Sequence, residues 1–104
     1  MPADPPILSA RTTTIAANTR ELIVQLSRRN ADPAHALARC VQAELNMILS
    51  SDLDAASTLK QQARQTMFAI EEVLGLVDQS DLRGACEAAR DAAKEWRKIA
   101  QAQG

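Results

Sequence analysis

The stretch from Leu59 to Val77, LKQQARQTMFAIEEVLGLV, sets Leu59, Ala63, Thr66, Ile70, Val73 and Val77 at alternating spacings of three and four. That recurrence is the seam of an amphipathic helix. Met67 and Leu74 widen the stripe, while Lys60, Gln61, Arg64, Gln65, Glu71 and Glu72 fall on the remaining surface. One flank of such a helix needs an apolar partner and the other needs water, so the chain must fold by packing helices on one another.

The rest of the chain supplies the partners. Residues Met1 to Pro6 hold three of the four prolines and read as extended, so residues 1–8 are expected to form a lead-in and 9–104 a single helical domain. From Ser9, a candidate N-cap, the positions Leu8, Thr12, Ile15, Thr19, Leu22 and Leu26 carry a first helix to about Arg29, with Ala16 and Ile23 broadening its face. Thr12, Thr13 and Thr14 have poor helix propensity, so this end frays unless tertiary contacts hold it. Asn30, Ala31, Asp32 and Pro33 punctuate the chain, with Asp32 as the expected cap of helix two and Pro33 at its first position. Helix two presents Leu37, Val41, Leu45 and Ile48, with Ala34 at its start and Leu49 beside its end, and stops near Ser50.

Ser50, Ser51 and Asp52 offer cap chemistry without Gly or Pro, and the apolar phase is nearly kept across them. The alternative to a break is one rod over residues 33–77, roughly 68 Å at about 1.5 Å per residue, unusually long for a small domain. A break is therefore expected. Gly75, Asp78, Gln79 and Ser80 end the third helix, and Ser80 or Asp81 caps a fourth whose inner face reads Leu82, Cys86, Ala89, Ala93, Trp96 and Ala100, with Ile99 alongside. Small residues there allow close approach, with Trp96 as the bulky anchor at the far end.

A chain of 104 residues suits one such core. The core is thin: of the 46% apolar residues 20 are alanines, and there is one Phe, one Trp and no Tyr. Modest stability, or stability gained by association, follows. Residues 1–40 carry five basic and three acidic side chains, 41–81 two and seven, and 82–104 five and three. An acidic middle between basic ends suits antiparallel helices that complement one another, and it argues against the uniformly basic footprint of a nucleic-acid binder. Nothing at the start resembles a secretory leader, no stretch approaches the roughly 18 apolar residues of a membrane span, and the Ala- and Arg-rich composition points to a bacterial, cytoplasmic protein without membrane partners.

No residue set carries recognisable catalytic chemistry. Cys40 and Cys86 lack metal spacing and read as buried free thiols. His35 has Cys40 at i+5, about 140° around a helix, so the two do not share a face. Glu71 and Glu72 diverge by about 100°, and Glu87, Asp91 and Glu95 on one helix cover too little of a coordination sphere to hold a hard cation. With three glycines and no Gly-rich loop, no phosphate cradle is legible. No enzyme activity, cofactor or metal is expected. Arg20, Arg28, Arg29 and Arg39 gather toward the first turn, which leaves DNA binding through a helix-turn-helix as the alternative function.

Apolar residues off the stripes are more informative. Val24, Met47, Phe68 and Leu76 are the candidate protein-binding or self-association residues, since Met and Phe are enriched at binding surfaces and a thin core invites association. In addition, TRELIVQL at Thr19 to Leu26, NADP at Asn30 to Pro33 and DLDAASTLK at Asp52 to Lys60 resemble the small helical immunity proteins that neutralise bacterial type VI secretion toxins. The resemblance covers about half of the chain. It implies a cytoplasmic, dimer-forming protein that binds and blocks a toxin or effector without catalysis. The expected architecture is an all-α, antiparallel bundle of four helices, with helices two and three continuous only if the break fails. Its expected function is non-enzymatic protein binding of the inhibitor, immunity or adaptor type, in a homodimer or other homo-oligomer.

Overall fold

The computed structural model describes the backbone of residues 6–52 and 57–103 and the side chains of 10–52 and 57–99. Four helices follow one another: α1 Pro6–Ser27, α2 Ala31–Leu49, α3 Thr58–Asp78 and α4 Leu82–Gln103. Each packs on the next and α4 returns to α1, so α1 and α3 lie diagonally, as do α2 and α4. Neighbours run antiparallel. Arg11 near the start of α1 meets Glu44 near the end of α2, and His35 near the start of α2 meets Asp78 at the end of α3. Trp96 late in α4 meets Thr12 early in α1.

The expected break between helices two and three is present. α2 ends at Leu49, the Ser57 side chain accepts the Lys60 N–H at 3.2 Å as the N-cap of α3, and Lys60 Nζ donates to the Ser51 carbonyl at 2.9 Å, tying the two helix ends together. Lys60 was expected on the surface, yet it is only 8% exposed, its ammonium drawn in to that carbonyl.

Two boundaries differ from the sequence reading. α1 begins at Pro6, a position proline tolerates in the first turn of a helix, so Ser9 lies inside the helix rather than capping it; residues 1–5 of the expected lead-in lie outside the described residues. α2 begins at Ala31 with Asn30 as N-cap, which leaves Asp32 in the first turn, where its carboxylate faces the positive end of the helix dipole. The reason is the turn before it. Arg29 takes a left-handed φ of 60°, and the Asn30 N–H donates to Gln25 O while that of Arg29 donates to Leu26 O, a Schellman closure that feeds α2 at once. The turn between α3 and α4 repeats the device, with Ser80 at φ 62° and Asp81 N–H donating to Leu76 O. Asp81, one of the two expected caps, then accepts the Gly84 N–H at 2.9 Å.

The core follows the α3 stripe: Leu59, Ala63, Thr66, Ile70, Val73 and Val77 are all buried. Ile15, Thr19, Leu22 and Leu26 of α1 and Val41, Leu45 and Ile48 of α2 face them. Leu37 is half-buried, and Ala34 and Ala38 take the inner positions of α2. In α4 the buried set is Ala85, Ala88, Ala89, Ala92, Trp96 and Ile99, while Leu82, Cys86 and Ala93 sit at its edge. The helix is turned toward Ile99 relative to the sequence reading, because Trp96 and Ile99 are the large apolar side chains of its second half and both point inward.

Candidate functional site

Antiparallel closure places α1 beside α4, and with them the two basic ends of the sequence. Residues 6–30 and 82–103 together carry nine basic and four acidic side chains, and residues 31–81 carry three and eight. Within the helices themselves, α1 and α4 carry seven basic and four acidic side chains, net +3, and α2 and α3 carry three and five, net −2. The surface is two-faced.

Along the seam of the basic half lies a notch of about 270 Å³. Thr12, Thr13, Ala16, Thr19 and Arg20 line it from α1, and Ala93, Trp96 and Arg97 from α4. Small side chains at Ala16 and Ala93 leave the space. Trp96, 2% exposed, forms its apolar wall and is fixed by donating from Nε1 to the Thr12 carbonyl at 3.0 Å. That bond, with the 2.7 Å ion pair of Arg11 and Glu44, supplies the tertiary contacts that the threonine-rich turns of α1 need. Arg20 and Arg97 stand exposed at the rim, and among the described residues neither makes an ion pair or hydrogen bond. Guanidinium groups held beside an apolar wall suit a ligand that joins carboxylates to an apolar body.

At the end of the bundle where α1 meets the start of α4, a second recess of about 630 Å³ is lined by Arg29, Arg83 and Arg90 together with Asp81 and Glu87. It is polar and carries both signs of charge.

On the acidic half, Phe68 stands at the middle of α3 with 72% of its surface exposed, followed at i+3 and i+4 by exposed Glu71 and Glu72. Met47 is 55% exposed near the α1 edge of α2, where its sulfur accepts from Arg11 Nη1 at 3.0 Å. Val24 is 37% exposed and lies about 180° around α1 from the core position Ile15. Leu76 is half-buried and packs against the core. The four residues singled out in the sequence thus do not meet in one patch: Val24 and Phe68 point outward from the diagonal pair α1 and α3.

The remaining candidates stay apart. His35 Nε2 lies 3.7 Å from Asp78 Oδ1, toward α3. Cys40 is exposed, which corrects the expectation of a buried thiol: the inner face of α2 runs through Ala38 and Val41 and leaves Cys40 outside it. Cys86 is half-buried, its sulfur 3.6 Å from Ser27 Oγ. Among the described residues no group of three or more His, Cys, Asp or Glu converges to hold a metal ion, and no helix is long and apolar enough to cross a membrane. Glu95 of the carboxylate row is engaged by Lys98.

The class defined by these features is an all-α, antiparallel four-helix bundle whose lateral faces carry opposite charge. No family model, curated protein or solved structure matches the chain.

Proposed function

We propose that this protein is a non-enzymatic protein-binding module of the inhibitor, immunity or adaptor type, working in the cytoplasm and associating with itself as well as with a partner protein. The observation that supports this most is the two-faced surface: a basic half with Arg20 and Arg97, unpaired among the described residues, around an apolar notch, and an acidic half from which Phe68 projects. An exposed aromatic beside carboxylates, and arginines beside an apolar notch, are the residue types that anchor protein interfaces.

The test is recovery of the tagged chain from its native cells with quantification of what accompanies it. A polypeptide at whole-number stoichiometry, reduced when Arg20 and Arg97 are changed to Glu or Phe68 to Ser, supports the reading. Recovery of the chain with no stoichiometric polypeptide refutes it. A second reading, binding to DNA, draws on the same basic half. Its helices form an antiparallel hairpin at Arg28 and Arg29 rather than a projecting recognition helix, and it requires salt-sensitive retention on duplex DNA that is lost when those two arginines become Ala.

A further inference from the structure

Two features on far sides of the bundle fit one another, and we propose that Phe68 of one copy docks in the Trp96 notch of the next, with Glu71 and Glu72 meeting Arg20 and Arg97. This rests on the protein-binding reading and names a second copy of the chain as the occupant of the basic seam.

The match has three independent parts. In size, the notch of about 270 Å³ exceeds the roughly 150 Å³ that encloses a benzene ring in an apolar cavity. In chemistry, the notch is lined by Ala16, Ala93 and threonine methyl groups beside the buried Trp96, an apolar surface for a phenyl ring, and Phe68 has 72% of its surface free to give up. In charge, carboxylates one turn beyond the Phe oppose arginines at the notch rim, on helix pairs of net −2 and +3. A lateral face of the bundle measures about 45 by 21 Å, enough for the roughly 800 Å² per partner that a specific interface covers.

Symmetry follows from the placement. Phe68 points outward from α3, while the notch lies between α1 and α4, so a single twofold contact cannot engage both at once. The contact is head-to-tail, and each added copy leaves one Phe68 and one notch unfilled.

The experiment is sedimentation velocity on the purified full chain and two variants, Phe68→Ser and Arg20→Glu/Arg97→Glu. All three substituted side chains are exposed, so helicity and unfolding temperature should match the wild type. The wild type is expected to grow past the dimer as concentration rises. Each variant alone should associate about thirtyfold more weakly or less, sedimenting near 11.3 kDa. Mixed at equal amounts, they should form one heterodimer that grows no further, because the first keeps an intact notch and the second an intact Phe68. A wild type that stays at 11.3 kDa, a closed dimer indifferent to both changes, or a mixture without heterodimer overturns the proposal. If a monomeric wild type still brings a stoichiometric foreign polypeptide out of native cells, the self-docking fails while the protein-binding reading stands.

Discussion

Replacing Thr66 by Val should make the bundle more stable, although it removes a polar group. Thr66 is fully buried on the inner face of α3, and among the described residues its hydroxyl has no hydrogen-bond partner. A buried hydroxyl left without a partner costs about 1–3 kcal/mol, because it gave up water and received nothing in return. Valine keeps the branched shape and nearly the same helix propensity, and it adds apolar burial. Recovering about 1–2 kcal/mol should raise Tm by roughly 5–10 °C for a domain of this size. Thr19 provides the control. It is equally buried, but its hydroxyl donates to the Ile15 carbonyl at 2.7 Å, so Thr19→Val gives up a bond for its added burial and should sit near zero. The assay is thermal and urea unfolding followed by far-UV circular dichroism, with the urea slope m compared between variants. A Thr66→Val protein no more stable than wild type, at unchanged m, would refute the reasoning, since the hydroxyl would then have a partner after all.

Other substitutions have defined signs. Gly75→Ala should add about 0.5–1 kcal/mol by reducing backbone entropy, as a Cβ there meets nothing within 4 Å; Gly84→Ala should not, since its Cβ would fall 2.6 Å from the Asp81 carboxylate that caps α4, and urea midpoints separate the two. Ser80→Gly and Arg29→Gly each relieve a left-handed non-glycine residue and should gain about 0.5–1 kcal/mol by the same assay. Trp96→Ala empties the wall of the notch and should cost about 3–5 kcal/mol, a large part of the stability of a small domain, seen as loss of helicity at urea concentrations the wild type tolerates.

The sequence carried the fold further than it carried the surface. The α3 stripe was legible residue by residue, because Leu, Ile and Val alternate there with charged positions and leave only one face to bury. α4 was harder to read. With Ala85, Ala88, Ala89, Ala92 and Ala93 spread around it, several faces are nearly equivalent in hydrophobicity, and the rotation is decided by Trp96 and Ile99 finding room in the core. The turn before α2 was legible at Asn30 to Pro33, but its closing residue at the left-handed position is Arg29 rather than Gly, so the start of the helix was placed two residues too late. Phe68 could be found from its position opposite the stripe. The notch could not, since it is built from residues about 80 positions apart, as the Thr12 to Trp96 hydrogen bond shows. What signals it is the pairing of two basic chain ends with an even number of helices: in an up-and-down bundle of four, the first and last helices become neighbours.

That the two oppositely charged halves recognise one another is tested most directly by light scattering behind size exclusion, on the purified wild-type chain over a concentration series at low and at high salt. The predicted result is a mass that rises with concentration at low salt and falls back toward 11.3 kDa as salt screens the exposed charges. A mass of 11.3 kDa at every concentration in both salts, or one that rises equally in both, would contradict it.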